Sequence, residues 1–387
     1  MAIFEVGRLG GRALSGAPRF RIDFVRDWKE AAERWAGGGH GTAFQHHHWL
    51  EAWYGAFATA LPLIAVITDD ASDQQVALLP LIRRVNGGIR IVEFADLGAT
   101  DYNAPELGCA APRDHTEARA LCQALLAGLR KLPDRVDLLR LRKMPANIGG
   151  KPNPLASLGR IGSCSLSGNL VVVGDDFDAY RASLKRMELP RNWRVFIRNP
   201  GARFRIVTNV DEALVLLDIM DTQQNARMKQ LGFKFVLDDD HHARFYRDIV
   251  RRGVSEGYAI VSALTCDEEV IATTLGIRRG SDYVLLRISN AGKPWSNCSP
   301  GLLVIERTMS ALHKDGVRQF DLSIGNYRYK RRFGAAQLPL ADVSIALGWR
   351  GVPFVLRDRA AQRLRRYPSL YGRVRRALGK PPSGDDK

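Results

Sequence analysis

The stretch YAIVSALTCDEEVIATTLGIRRGSDYVLLRIS (258–289) decides the fold class. It holds three apolar runs, YAIVSALT (258–265), VIATTLGIRR (270–279) and SDYVLLRIS (281–289), cut by Cys266-Asp267-Glu268-Glu269 and by Arg279-Gly280-Ser281. Runs of this length, rich in β-branched and aromatic residues and bounded by turn residues, read as strands, and connections this short make neighbouring strands antiparallel. Working outward, the loop NAGKPWSNCSPG (290–301) leads to a helix, LLVIERTMSALHKDG (302–316), and then to a strand, VRQFDLSI (317–324). Upstream lie helical spacing at DEALVLLDIMD (211–221) and a longer helix over 239–256 that opens with acids, as a helix start favours.

The same order of elements recurs earlier in the chain. DWKEAAERWA (27–36) is helical and is broken by GGGHG (37–41). HHHWLEAWYGAFA (46–58) then places Trp49, Trp53, Ala56 and Phe57 on one face, an amphipathic helix with an aromatic stripe. Three strand-like runs follow, LPLIAVIT (61–68), QVALLPLIRRV (75–85) and GIRIVEFA (88–95), and after them a helix at 116–132 and a strand at 136–144. The recurrence predicts an α/β (α+β) chain of two similar halves, each a mixed, mostly antiparallel sheet flanked by helices. We place the first half at 17–160 and the second at 165–348, with GGKPNPLASLG (149–159) supplying the loop-rich divide.

Composition narrows the function classes. At 387 residues with 45% apolar and 25% charged side chains, the chain has the makeup of a two-domain globular protein. No apolar block of signal-peptide form opens it, and no run is long enough to cross a membrane, so a cytoplasmic location is expected. The five cysteines are odd in number and widely spaced, which reads as free thiols without a zinc or redox motif. The net charge of +16 is concentrated. Eight Lys or Arg against Glu188 occupy 181–205, and ten against Asp358 occupy 350–380. Residues 349–387 read as a basic amphipathic tail, in which Phe354, Ala361, Leu364, Tyr367, Tyr371, Val374 and Leu378 recur mostly at intervals of three and four. Such a tail docks on the protein's own core or holds to an anionic membrane, here the inner face. The charge also invites nucleic acid, but no helix-turn-helix, zinc finger or RNP-type strand accompanies it, so nucleic acid is not an expected partner.

Two local features carry chemistry. Ser299 suits a helix N-cap, Pro300 the first helical position and Gly301 a close backbone approach, a start that seats phosphate groups on free N–H donors; the same residues also simply start a helix. FDLSIGNYRYKRRFG (320–334) delivers a phenol and an ammonium to the carboxyl end of a strand, where open α/β sheets bind ligands. Asp321 in that strand and Asp101 in LGATDYN (97–103) are carboxylates able to act as a base. The three consecutive histidines 46–48 suggest a metal, but on a regular helix they cannot all face one ion, so no metal is expected, and His48 is read as a wall of the cleft between the halves.

The second half resembles the BioF2-like acetyltransferase domain of GNAT proteins, including CelD-type cellulose-biosynthesis acyltransferases, and more distantly the FemAB aminoacyl transferases. The resemblance rests on the basic 181–205 segment, VIATTLGI, SPGLL and FDLSIGNYRYKRRFG, with TAFQHHHWLEAW and LGATDYNAPEL matching in the first half. It implies tandem GNAT-like halves, the first degenerate and acceptor-shaping. It implies acetyl-CoA or another acyl-CoA as co-substrate, held by Ser299, Pro300, Gly301, Leu302 and Leu303, with no metal. It implies catalytic roles for Tyr329 and Lys330, joined by Asp321, and acceptor contacts at His48, Asp101 and Tyr102. The acceptor would be an amine or hydroxyl of a small molecule or of an exopolysaccharide or lipid-linked precursor. A FemAB-like aminoacyl-tRNA donor, or a non-catalytic GNAT-fold binding protein, is the alternative. The phosphate loop, Asn297-Cys298-Ser299-Pro300-Gly301, is poorer in glycine than the usual GNAT pattern.

Overall fold

The computed structural model describes residues 19–35, 39–159, 161–184, 187–325, 327–365 and 367. The first half runs β1 (Phe20–Val25), α1 (Trp28–Arg34), α2 (His47–Ala56), β2 (Leu61–Pro62), β3 (Ile64–Asp69), β4 (Gln75–Leu79), β5 (Leu81–Asn86), β6 (Ile89–Phe94), β7 (Glu106–Leu107), α3 (His115–Lys131) and β8 (Leu138–Pro145). A small hairpin of β9 (Asn147–Ile148) and β10 (Lys151–Pro152) leads to β11 (Gly162–Val172), α4 (Phe177–Ser183) and α5 (Leu189–Phe196). The second half continues with β12 (Ala202–Val207), α6 (Val210–Gln230), α7 (Asp240–Gly253), β13 (Ala259–Cys266), β14 (Glu269–Arg279) and β15 (Asp282–Asn290). It closes with α8 (Pro300–Lys314), β16 (Gln319–Asp321), α9 (Arg328–Arg332), β17 (Ala336–Ala346) and α10 (Val352–Arg365).

The expected fold class holds. An 11-stranded sheet in the order β12-β13-β14-β15-β16-β11-β17-β8-β6-β5-β2 crosses both halves, and a second sheet of order β1-β3-β4-β7 belongs to the first. Pairing is antiparallel apart from β15 with β16 and β6 with β8. Each parallel pair is bridged by a helix, α8 in one half and α3 in the other, as parallel neighbours require. The repeat of element order therefore extends to strand direction.

Several sequence expectations change, among them LPLIAVIT, which divides into β2 of the large sheet and β3 of the small one, and VRQFDLSI, which is a strand only over Gln319–Asp321. QVALLPLIRRV is two strands rather than one, because Pro80 offers no N–H to a ladder; β4 stays with β3, while β5 crosses to pair β6 in the large sheet. The helix expected over 211–221 continues to Gln230, carried past its apolar part by the polar TQQNARMKQ (222–230). The strands β11 and β17 were not anticipated at all. They pair with each other, and β17 also pairs β8, so these two strands join the halves into one sheet.

The halves share a core as well as a sheet. Trp49 and Trp53 of α2 are fully buried in one cluster with Phe245 and Ile249 of α7. Trp49 meets Phe245 edge-on at 4.7 Å, a favoured aromatic arrangement. The aromatic stripe read on α2 is thus the face that docks on the second half. The expected free thiols are also seen: all five cysteines are unpaired.

Candidate functional site

Strands β15 and β16 run in parallel register only from Asp282–Val284 against Gln319–Asp321, and then part. A cavity of about 940 Å³ fills the opening. At one end stand Ser299, Pro300, Gly301 and Leu302 at the start of α8; at the other stand Asp101, Ser323, Tyr329 and Lys330. Leu231 and Phe233, just past α6, and Leu285 and Ile288 of β15 give much of the wall an apolar surface. The space therefore joins the phosphate-seat candidate to the chemistry candidate.

At the α8 end the chain enters through Ser299 in the left-handed region (φ 50°), and its side chain makes no capping bond. The capping role read from sequence passes to its backbone: the Ser299 carbonyl accepts from Leu302 N–H at 3.0 Å and from Leu303 N–H at 3.1 Å. Pro300 has no N–H, so Gly301 carries the first turn's unengaged donor among the described residues. Leu303 is buried and lies outside the cavity wall. The seat is therefore narrower than the five residues expected from the sequence.

At the other end Lys330 is 2% exposed. Its ammonium donates to the Ser323 carbonyl at 3.1 Å and the Ile324 carbonyl at 2.7 Å, which among the described residues leaves one of its three donors. Burial pushes the ammonium pKa down to about 8, although Asp101 and Asp321 act to raise it. Asp321, 6% exposed, accepts from the Ser323 N–H at 2.6 Å. Burial pushes its carboxyl up to about 6, against the lowering effect of the Tyr102 hydroxyl beside it. Asp101 accepts a hydrogen bond from the Ser323 hydroxyl, and burial again raises its pKa. Tyr329 lines the cavity and stacks with Tyr327 at 6.1 Å; burial lifts its phenol to about 12.

These side chains reach one place because a tight turn is held from several sides. Gly325 takes φ +99° freely, but Ser323 at φ +69° holds a left-handed conformation that needs support in a residue with a side chain. Asn169 of β11 supplies it by donating to the Ser323 and Gly325 carbonyls at 2.8 and 3.0 Å. Next along β11, a Cβ on Gly168 would lie 2.1 Å from the Tyr102 hydroxyl. The bare glycine is what lets Tyr102 of the first half lie over a strand of the second.

The structure thus sets Asp101, Tyr329, Lys330 and Ser299–Leu302 around one cavity, with Tyr102 and Asp321 buried nearby but outside its wall. It does not bring His48 there. That ring is buried on α2 with its Nε2 3.0 Å from Glu256 Oε2, away from the cavity; the wall role read for it is corrected, because α2 turns this face toward the start of β13. Sequence reasoning quoted Ser323 without giving it a role, and it passed over Arg287. Arg287 lines the cavity from the middle of β15, bonded to Asp221 at 2.6 Å and to Gln224 at 3.1 Å. Its signal was present, since one arginine interrupts the apolar YVLLRIS. Lys185, Arg186 and Asn326 lie outside the described residues.

Residues 183–331 match the family described as Acetyltransferase (GNAT) domain. No curated protein matches the sequence. Among solved structures, FemX is similar with a TM-score of 0.55 at 10% identity, over 83% of this chain and 96% of FemX. A conserved protein of unknown function from Bacteroides thetaiotaomicron VPI-5482 is similar with a TM-score of 0.50 at 10% identity, over 84% of this chain and 100% of that one. At such identities the likeness is one of fold, and the family match carries the chemistry. Residues 183–331 thus match a GNAT acetyltransferase domain, and that match, on a GNAT-like fold, supports an acyltransferase.

Proposed function

We propose that the chain transfers an acyl group from acyl-CoA to an amine or hydroxyl, with the donor phosphates at Ser299–Leu302 and the reacting carbonyl beside Lys330. The single cavity that joins these two groups of residues carries the reading. Half 165–348 performs the transfer, and half 17–160 contributes Asp101 and Tyr102 to shape the acceptor side. The narrower BioF2-like or CelD-type reading gives the acceptor as an exopolysaccharide or lipid-linked precursor.

In the step proposed, an acceptor amine attacks the thioester carbon and gives up a proton to Asp101, whose raised pKa suits a base. The free N–H of Lys330 stabilises the tetrahedral oxyanion. As the C–S bond breaks, the thiolate takes a proton. Lys330, at about 8, lies close to a thiol's ordinary pKa of about 8.5, whereas Tyr329, at about 12, holds its proton too firmly. Proton donation to the leaving group therefore falls to Lys330, and Tyr329 contributes a hydrogen bond. Tyr329→Phe is expected to lower turnover by no more than about tenfold, the worth of one ordinary hydrogen bond, with CoA affinity retained. A loss of several hundredfold, measured as thiol release from acetyl-CoA over a panel of amines, would return the acid role to the phenol.

Calorimetry with CoA and several acyl-CoAs tests the donor. Binding that weakens when Gly301 is replaced by Pro, which removes the one unengaged N–H, is the expected result. Failure to bind any of them, together with tight binding of charged tRNA, moves the reading to a FemAB-like transferase.

A peripheral membrane contact is the second part of the proposal, and α10 supports it. That helix docks through buried Val355 and through Asp358, which accepts from Arg140 at 3.1 Å and Ser344 at 2.7 Å. Leu356 of this helix is 58% exposed and Trp349, in the turn just before it, is 71% exposed, among Arg350, Arg357 and Arg359. Both tail readings therefore have a face to act on. Tyr371, Val374 and Leu378 lie outside the described residues. Trp349→Ala with Leu356→Ser is expected to abolish sedimentation with phosphatidylserine vesicles at low salt without changing the melting temperature, and salt is expected to weaken the wild-type contact. A wild-type protein that stays in the supernatant ends this reading. No helix among the described residues is long and apolar enough to cross a membrane.

A further inference from the structure

Away from the cavity, His46, His47 and His48 each offer one ring nitrogen, and the three lie within 4.8 Å of one another. The ring centroids are 4.3 Å apart for His46 and His47, 4.0 Å for His47 and His48, and 5.0 Å for His46 and His48. The objection that consecutive helical histidines cannot converge does not apply, because α2 begins at His47 and His46 is its N-cap, with extended backbone angles of φ −63° and ψ 145°. Released from the helical spacing of about 100° per residue, His46 turns its ring back toward the other two.

The surroundings hold the cluster in place. His46 stacks on Tyr258 at 4.3 Å with 15° between the planes. His48 is fixed through Nε2 by Glu256, whose carboxylate accepts from it at 3.0 Å. Glu256 and Tyr258 both lie between α7 and β13 of the second half. Arg279, a cation whose charge reaches His46 and His47, is matched by Glu106. His47 is exposed, so the cluster opens to solvent.

We propose that His46, His47 and His48 bind a divalent transition-metal cation of the zinc class, with Glu256 as a positioning residue that holds the ring of His48. Imidazole nitrogen suits zinc, copper and nickel. With metal–nitrogen bonds of about 2.0–2.1 Å, tetrahedral ligands stand about 3.3 Å apart, so the nitrogens need to close by roughly 1.5 Å at most, and exposed His47 has room to move. With Glu256 taking the Nε2 proton of His48, its lone pair rests on Nδ1, as in carboxylate–histidine–metal arrangements. The 3.4 Å bond from the His48 backbone N–H to His46 Nδ1 is weak enough for an ion to displace. Solvent supplies the fourth position. The bound ion would link α2 of the first half, through Glu256, to the second.

The test uses the full chain without an affinity tag, titrated with Zn²⁺ and, for absorption in the visible, with Co²⁺. Binding of one ion per chain, a melting temperature raised by Zn²⁺ and restored by a chelator, and Co²⁺ bands of a four-coordinate site are the expected results. His47→Ala, at an exposed position that should not disturb folding, is expected to weaken Zn²⁺ binding at least tenfold, and Glu256→Gln by roughly 10–100-fold. Equal affinity in wild type and His47→Ala would assign any bound ion to other groups and overturn the proposal. So would the absence of stoichiometric binding at micromolar Zn²⁺.

Discussion

Lys330→Met is expected to lower turnover by about 10²–10³-fold, the usual cost of removing one preorganised oxyanion donor, while leaving the dissociation constant for CoA nearly unchanged. The substitution removes the charge that faces Asp101 and Asp321, and the Ser323 and Ile324 carbonyls lose their donor. Calorimetric CoA binding and circular dichroism on the same variant separate a catalytic loss from a collapsed turn. Turnover equal to wild type would remove Lys330 from the reaction. The pH profile gives a second reading. If the ammonium is the working form, activity falls as pH rises through about 8. Stability should not fall with it. Because burial places the folded-state value of about 8 below the ordinary 10.5, the unfolded chain binds more protons between these values. The contribution of this group to stability therefore rises with pH across that window. An alkaline loss of activity at constant or rising melting temperature is the expected pattern; parallel loss of both would point to unfolding.

Arg279→Met is expected to cost about 3–5 kcal/mol of stability, the range for removing one partner of a buried ion pair. Arg279 of β14 forks onto Glu106 of β7 at 2.5 and 2.8 Å and donates to the carbonyls of Gly39 at 2.7 Å and Thr42 at 3.1 Å. All four bonds cross from the second half to the first. The Glu106 side chain is 6% exposed against 22% for the arginine, so the carboxylate would be left buried without its partner. Denaturant unfolding measures the loss, and the double variant Arg279→Met, Glu106→Leu should recover much of it, since the cost lies in the stranded charge. A single variant within about 1 kcal/mol of wild type would make the pair an ordinary surface bridge.

Gly41 illustrates where reading the sequence stops. In the run GGGHG it is legible as a helix breaker, and the helix α1 has ended before it, at Arg34 with Trp35 as its C-cap. Its second duty is invisible: a Cβ would lie 2.0 Å from Glu106 Oε2 and 2.5 Å from an Arg279 nitrogen, residues 65 and 238 positions further on. The sequence by itself determined the strands of 258–289, the helix after Gly301, the recurrence of element order, and the resemblance that led to Tyr329 and Lys330, because these depend on periodicity, turn residues and contiguous motifs. It also held the three histidines in view, but not that His46 is the N-cap whose extended backbone brings its ring close to the other two.

Only the tertiary structure decided that β11 and β17 join the halves, that Asp101 reaches across to Ser323, and that His48 belongs with Glu256 and not with the cavity. The physical reason is the same in each case. β11 reads GSCSLSGNLVV, in which the alternation of SCSLS (163–167) offers only Cys164 and Leu166 as apolar residues and breaks off at Gly168-Asn169. Its place is set by pairing with strands more than a hundred residues away in sequence. The shifted pKa values of Lys330 and Asp321 arise from burial, which no local pattern records. Local chemistry wrote the elements, and desolvation at the seam between the halves selected which of their side chains stand together.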